Sequence, residues 1–504
     1  MKHRSIKRVY EICIFVGLIV LVGFRLFYKL GNGALNVTDE AWYGVNAYEM
    51  FKSGNFLVPT LRHQVDYASK PPLGLWWILI GFKLFGVNLV GLRMYSAVAG
   101  LLTICLICIY LLRRCGLRNA LVAAAVFAAL WQCFELHMYR SGDMDALFCF
   151  FYALAIISLA EVTRGLPHMF IAYGCAVGLG FMTKSMHVTV FLIVGILYLP
   201  VIWHKLKAKD IVLAIVAGLL PNFIWIIARY PVDGFKYILS ITLGEAGDQT
   251  RAGITFDYLR DISREKVTWV LVAVLVTRIV LFFVGFATDK REDAERLSFR
   301  TLYTYLFDYC KSRYLLILGA LVPIVFYTLA GHYMRWYIDP AYIAMVCYIA
   351  IETPDTFDRL KAYIGKWGVI LPYGVIAFCI LYACLQIWQY RGLGTGGGAI
   401  EQFGHDMIEF RTETAGKYDG YKAYIAYDRE RHVGNRGHWE LDFVFLGNAN
   451  AGLECVDGGV EGFLADENSL LVLDSNLWSE YSNVLTGYVF LEQNSYYVLS
   501  HDRY

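Results

Sequence analysis

Met1-Lys-His-Arg-Ser-Ile-Lys-Arg8 runs directly into Val9-Tyr-Glu-Ile-Cys-Ile-Phe-Val-Gly-Leu-Ile-Val-Leu-Val-Gly23. A basic cluster followed by an apolar run fits either a signal peptide or a first membrane span. No small-residue cleavage pattern follows, and Arg25 and Lys29 prolong an amphipathic end. The segment therefore reads as an uncleaved first span. A spanning helix needs about 20 mostly apolar residues. By that measure the sequence predicts about eleven spans, near 9–30, 88–112, 120–139, 143–162, 168–183, 186–203, 210–229, 267–288, 314–331, 335–351 and 367–388. The stretch Leu73–Phe85 is apolar but short and rich in Trp, which suits the membrane interface.

The bulk composition agrees. Of 504 residues, 58% are hydrophobic and 17% charged, with a mean hydropathy of +0.47. Soluble domains are about 45–50% apolar and about 25% charged. The net charge of +2 argues against a nucleic-acid partner. Eleven of the twelve cysteines fall in the first 384 residues, mostly in apolar runs. Cys455 is left alone in the tail, so that segment has no internal disulfide.

Basic residues orient the spans. With an internal N-terminus, the cytoplasmic segments carry Lys2, Arg4, Lys7 and Arg8, then Arg113, Arg114 and Arg118, then Arg164. They continue with Lys205, Lys207 and Lys209, a long loop from Lys290 to Arg313, and finally Arg359, Lys361 and Lys366. The opposite loops are sparser in Lys and Arg. The expected class is mainly α: a polytopic membrane helix bundle, N-in and C-out, over residues 1–390. A Gly-rich linker, 391–398, leads to a small α/β extracytoplasmic domain, 399–504. That tail has β-like runs at Tyr424–Tyr427, Leu441–Leu446, Leu470–Leu473 and Tyr496–Leu499. Gly447-Asn-Ala-Asn-Ala-Gly452 lacks the spacing of a dinucleotide loop and reads as a turn.

The candidate chemistry collects on the predicted outer side. Asp39-Glu40 follows the first span. Adjacent acids at a membrane surface are costly unless used or paired, although a helix cap would also explain them. Lys70 precedes Pro71-Pro72, which restrict the backbone at the mouth of the Trp-rich stretch. A lysine there either snorkels to headgroups or holds a phosphate as a point charge. Arg140-Ser-Gly-Asp143-Met-Asp145 lies between two spans. Thr183-Lys184-Ser185, a loop with Glu245, Asp248 and Arg251, and Gly331-His-Tyr-Met-Arg335-Trp-Tyr337 complete the collection.

These residues, in this order, resemble the GT-C superfamily of membrane glycosyltransferases. The likeness is to the branch of the lipid A aminoarabinose transferase and the protein O-mannosyltransferases. The pieces are Asp39-Glu40, Lys70-Pro71-Pro72-Leu73 with a following Trp, and Arg140 with Asp145-Ala146. Gly178-Leu-Gly-Phe-Met-Thr-Lys184 and Arg335-Trp-Tyr337-Ile-Asp-Pro340 follow. The resemblance covers roughly residues 1–345. It implies inverting transfer of a sugar from a polyprenyl-phosphate donor to an envelope acceptor (lipid, protein or glycan) at the outer face. It implies Asp39 as base, with Glu40 and Asp145 completing the catalytic set. Lys70 and Arg251 would hold phosphate, and Arg140, Lys184, Arg335 and Tyr337 would bind or support the substrate. The extra acid Asp143 departs from the pattern, and Asp145 is favoured for the family role. No cofactor is implied, although acids at 39, 143 and 145 would suit a divalent cation if they converged. A secondary transporter would carry midplane ionisable groups and internal repeats, and an envelope polymerase or ligase would not need this ordered set.

Overall fold

The computed structural model describes residues 2–35, 38–61, 63–135, 137–244, 247, 253–288, 299–365, 367–395, 399–427, 440–493 and 496–502. Helix α1 (Lys2–Phe27) is followed by α2 (Thr38–Ser53), a hairpin of β1 (Thr60–Leu61) and β2 (Gln64–Val65), α3 (Pro72–Phe85), α4 (Leu89–Arg114) and α5 (Leu117–Ala129). Then come α6 (Asp145–Thr163), α7 (Met169–Lys184), α8 (Thr189–Ile202), α9 (Ala208–Asp233), α10 (Lys266–Thr288), α11 (Phe299–Ala330), α12 (Asp339–Ile364) and α13 (Trp367–Gln389). The chain ends with α14 (Ala399–Glu413), β3 (Lys422–Ala426), α15 (Glu440–Asn450), β4 (Glu454–Val456), β5 (Ser469–Asp474), β6 (Val489–Glu492) and β7 (Tyr496–Ser500). It forms two compact units. One comprises Met1–Tyr28, Ala97–Tyr139 and Met144–Gln389, and the other Lys29–Ser96, Arg140–Asp143 and Tyr390–Tyr504.

The first unit is a polytopic helical membrane body. Among the described residues of the whole chain, eight segments are long and apolar enough to cross a bilayer. Four of the predicted spans take a different form. The stretches 168–183 and 186–203 are α7 and α8, joined by one tight turn within a continuous apolar segment, Met169–Lys205. Ser185 breaks the helix there with φ +43°, a left-handed conformation that a non-glycine residue adopts only at a cost. The stretch 120–139 holds a helix of 13 residues, α5, about 20 Å long. Its second half leaves the helix after Ala129, because Gln132, Glu135 and His137 are polar side chains used elsewhere. The stretch 335–351 starts with a single turn and continues as α12, which extends to Ile364 and carries Glu352, Asp355 and Asp358.

Glycine permits a close helix contact in this unit. Gly174 and Gly178 of α7 face Ala214 and Gly218 of α9, and a Cβ on Gly178 would lie 2.1 Å from the Gly218 carbonyl oxygen. Small residues let membrane helices approach backbone to backbone. Asn222 takes advantage of the approach, its Nδ2 donating to Gly178 O at 3.0 Å and Gly218 O at 2.8 Å. Gly178→Leu forces these backbones apart. It is expected to lower stability by at least about 2 kcal/mol, read as the denaturation midpoint of the purified protein in detergent. Gly374→Leu, at a glycine with open space around it, is the control and should be neutral. Equal midpoints for the two variants would refute the packing argument.

The second unit is built on a five-stranded sheet in the order β4-β3-β5-β7-β6. The strands β4, β3 and β5 run parallel, while β7 is antiparallel to both β5 and β6. All six residues of β5 are buried, and its centre, Leu470–Leu473, is continuously apolar rather than alternating. The run Leu441–Leu446, β-like in sequence, is instead the start of α15. A short apolar run does not distinguish a strand from a buried helix. What favours helix is docking: Gly44 of α2 leaves room for the Phe445 ring, which a Cβ would approach to 2.7 Å. Phe82 of α3 stacks on the same ring. Gly447–Gly452 is not a free turn but the C-terminal end of α15, closed by Leu453 N donating to Gly447 O at 3.2 Å, with Gly452 at φ +69°.

Candidate functional site

The expected site residues divide between the two units, and each group has its own geometry. In the second unit, α2 starts at the paired acids. Asp39 is half-buried and Glu40 fully buried. Glu40 is clamped by Arg93 of α4: Nε donates to Oε1 at 2.7 Å and Nη2 to Oε2 at 3.1 Å. The same guanidinium donates to the carbonyls of Leu30, Asn32 and Ala34 at 2.8–3.1 Å. Glu40 Oε1 also accepts the Gly142 amide at 2.8 Å. Gly142 has no room for a side chain, since a Cβ would fall 2.7 Å from Leu92 and 3.2 Å from Glu40. A buried carboxylate held by a bidentate guanidinium is a fixed anion, so the geometry of Glu40 is that of a brace under Asp39.

The loop bearing Arg140 and Asp143 is pinned too. Tyr95 Oη donates to Gly142 O at 3.0 Å and Ser96 Oγ to Asp143 O at 3.3 Å. Arg140 lies over the Tyr390 ring at 4.1 Å. A carboxylate oxygen of buried Asp143 lies within 4.8 Å of one from Asp39. Lys70 is half-buried at the end of a loop that α2 itself holds. Asp66 accepts Trp42 Nε1 at 2.5 Å and Asn46 Nδ2 at 3.0 Å, and it also accepts the amides of Ala68 and Ser69. Ser69 Oγ donates to Asn46 Oδ1 at 2.9 Å. Pro71 and Pro72 then start α3 directly after Lys70. Thus α2 presents Asp39 and, through Trp42 and Asn46, fixes the loop that ends in Lys70.

In the first unit Asp145 opens α6 and Lys184 closes α7. Lys184 Nζ donates to Asp145 Oδ1 at 2.5 Å, and His137 Nδ1 lies 3.3 Å from Oδ2. All three side chains are nearly inaccessible. Both oxygens of Asp145 therefore face a partner, which suits an orienting carboxylate better than a base. Lys184 Nζ sits 4.9 Å from the Tyr337 ring centre. The His137 ring stacks flat on Trp336 at 3.9 Å, and His187 bonds Tyr327 Oη at 2.8 Å and meets the Tyr337 ring edge-on. Arg335 lies over Trp131 at 4.8 Å and 3.6 Å from Asp261 Oδ1. Gln132 donates to Arg335 O and Asp339 Oδ1 at 2.8 and 2.7 Å, which anchors the turn carrying Arg335 and Tyr337.

Arg251, Glu245 and Asp248 lie outside the described residues. Sequence reasoning did not find Arg93, Asp66, Asn46 or His137. Arg93 had a signal: a guanidinium inside an apolar span is expensive and demands a partner. Asp66 and Asn46 had none, because ordinary loop and helix residues disclose their use only when the loop folds back.

The chain matches three kinds of known protein. Residues 69–227 match the family model described as dolichyl-phosphate-mannose-protein mannosyltransferase. A relative from Pseudomonas fluorescens, undecaprenyl phosphate-alpha-4-amino-4-deoxy-L-arabinose arabinosyl transferase 1, is 34% identical over 37% of this chain and 35% of its own length. A second transferase of that name, numbered 2 and from another strain of the same species, is 26% identical over 67% of this chain and 58% of its own. The chain thus spans about a third to three-fifths of the length of these relatives. The crystal structure of ArnT from Cupriavidus metallidurans bound to undecaprenyl phosphate superposes with a TM-score of 0.67 at 16% identity, covering 97% of this chain and 98% of that one. Its apo form superposes with a TM-score of 0.68 at 14% identity, covering 98% of each chain. The fold is accordingly a polytopic helical membrane fold similar to that of the two ArnT structures.

Proposed function

We propose that this GT-C relative is a glycosyltransferase that moves a sugar from a polyprenyl-phosphate donor to an envelope acceptor, with inversion at the anomeric carbon. What supports the reading is the joint control by α2 of a carboxylate, Asp39, and of the loop ending in a lysine, Lys70. The acceptor hydroxyl gives its proton to the Asp39 carboxylate as its oxygen bonds to the anomeric carbon. On the opposite face the bond from that carbon to the phosphate oxygen breaks. Polyprenyl phosphate leaves with the electron pair, and Lys70 steadies its charge. Asp39 then returns its proton to water. Glu40 braces the start of α2. Lys184, with Asp145 fixing it and Tyr337 beside it, belongs on this reading to donor binding, as do Arg140, Arg335 and Arg251.

The test is transfer by purified protein from a polyprenyl-phosphate sugar, paired with mass spectrometry of envelope lipids, glycans and proteins from cells with and without the chain. A mass difference of one sugar in an acceptor is the expected result. Identical envelopes together with no turnover would overturn the function.

The reading also requires the N-terminus in the cytoplasm and residues 399–504 outside, as the basic-residue bias indicates. Cys455 is a poor reporter of this. Burial pushes its thiol up to about 12, which disfavours the reactive thiolate. Ser479→Cys, at an exposed position, is expected to react with an impermeant maleimide in intact cells, while Cys455 stays unlabelled. Labelling of Ser479→Cys only after permeabilisation would reverse the topology.

A further inference from the structure

A cleft of about 200 Å³ lies within the second unit, and neither Asp39 nor Lys70 is among its lining residues. Its walls are the segment Gly31–Leu35, the turn Asn88–Val90, one face of α14 and the end of α15. The volume is several times the ~30 Å³ share of a water and below the ~300–1,000 Å³ of drug-sized pockets. It fits one small ring.

The walls are set before any ligand arrives. Arg93 holds the carbonyls of Leu30, Asn32 and Ala34 from behind. Asn88 caps α4 by accepting Gly91 N at 2.9 Å, and its Nδ2 donates to Phe85 O at 2.7 Å. Asn450 Nδ2 donates to Gly404 O at 2.8 Å, tying α15 to α14. A preformed site loses little freedom on binding.

The chemistry of the lining is selective. Glu401 and His405 stand one turn apart on α14, Asn32 and Asn450 offer amides, and Leu35 and Ile408 offer apolar surface. No Lys or Arg is among the lining residues, so nothing there favours a phosphate. Among the described residues, Glu401 Oε1 is buried without a hydrogen-bond partner. An acceptor oxygen left in that state is costly, and a ligand bringing O–H donors relieves it once the side chain turns toward the cleft. Hydroxyls for the carboxylate, imidazole and amides, with a C–H face for the leucine and isoleucine, describe a saccharide ring.

We infer that this cleft is a binding site for one hydroxyl-rich sugar ring. That the ring is part of the acceptor rests on the transferase reading; the binding itself does not.

The probe is methyl glucopyranoside, followed by saturation-transfer NMR on the full chain in detergent, with inorganic phosphate and tetramethylammonium as controls. Saturable sugar binding is expected, with neither control competing. Glu401→Ala should weaken it at least about tenfold, because hydrogen bonds to an ionised acceptor are the stronger kind. Ile408→Trp, a change at a half-exposed position that fills the cleft without emptying a core, should abolish it. Asp39→Asn should leave it unchanged. No saturable sugar signal, binding untouched by both cleft variants, or displacement by either control ion would each overturn the site. Sugar binding with these properties in a protein that transfers nothing would leave the cleft standing and remove the transferase reading instead.

Discussion

Asp39→Asn is expected to lower transfer by about 10²–10⁴-fold, the usual worth of a general base, while the protein stays folded and still binds donor. The swap is nearly isosteric, and Asp39 is half-buried at the first turn of α2, so little packing changes. The amide cannot take the acceptor's proton. Lys70→Ala should behave differently. It removes a point charge from the end of a loop that Asp66, Asn46 and Trp42 hold, so donor binding weakens together with turnover. The measurement is turnover with purified polyprenyl-phosphate sugar, beside donor affinity for each variant. If Asp39→Asn in well-folded protein turns over at the wild-type rate, Asp39 is a helix cap and not the base. Loss of donor binding in Asp39→Asn equal to that in Lys70→Ala would also count against separate roles.

The second large effect belongs to Arg93→Ala, which should destabilise the protein by about 3–5 kcal/mol, the cost of stripping one partner from a buried ion pair. Glu40 would be left charged and fully buried, and three carbonyls of the segment before α2 would lose their donor. Lysine should not rescue, since a single ammonium cannot reproduce the fork that spans both Glu40 oxygens and the carbonyls. Pairing Arg93→Met with Glu40→Gln should recover much of the loss, because no uncompensated charge remains and the glutamine oxygen still accepts Gly142 N. The check is a double-mutant cycle on denaturation midpoints in detergent. A double variant no more stable than Arg93→Met alone would mean that the damage is lost packing and not a stranded charge.

Much of the membrane part was legible in the sequence, because burial in lipid demands long apolar runs and leaves little ambiguity. The ordered motifs were legible as well, since Lys70 before two prolines and the paired acids are unusual placements. What could not be read was the alternative use of ambiguous residues. Leu441–Leu446 has the composition of a strand, and its helical form follows from a distant partner, the space that Gly44 leaves for Phe445. The expected 120–139 span is apolar enough as a whole, yet in its second half Gln132 and His137 turn inward to hold Asp339 and Asp145. Glu40 and Asp39 are neighbours with the same chemistry in sequence, and only the position of Arg93 marks Glu40 as the buried, clamped one of the two.

Arg25 carries a consequence for how the protein is made. Its guanidinium is fully buried near the end of α1, donating to the Ala128 carbonyl and to Glu135 and lying 3.9 Å over the Phe134 ring. Those partners are synthesised about a hundred residues later, Ala128 being 103 positions downstream. At about 5–20 residues per second the ribosome needs roughly 5–20 s to produce them. During that interval α1 sits in the bilayer with an unsatisfied cation, which must reach for headgroups along its own aliphatic stem. The final depth and rotation of α1 are thus set only when the Ala128–Glu135 segment arrives to take the charge.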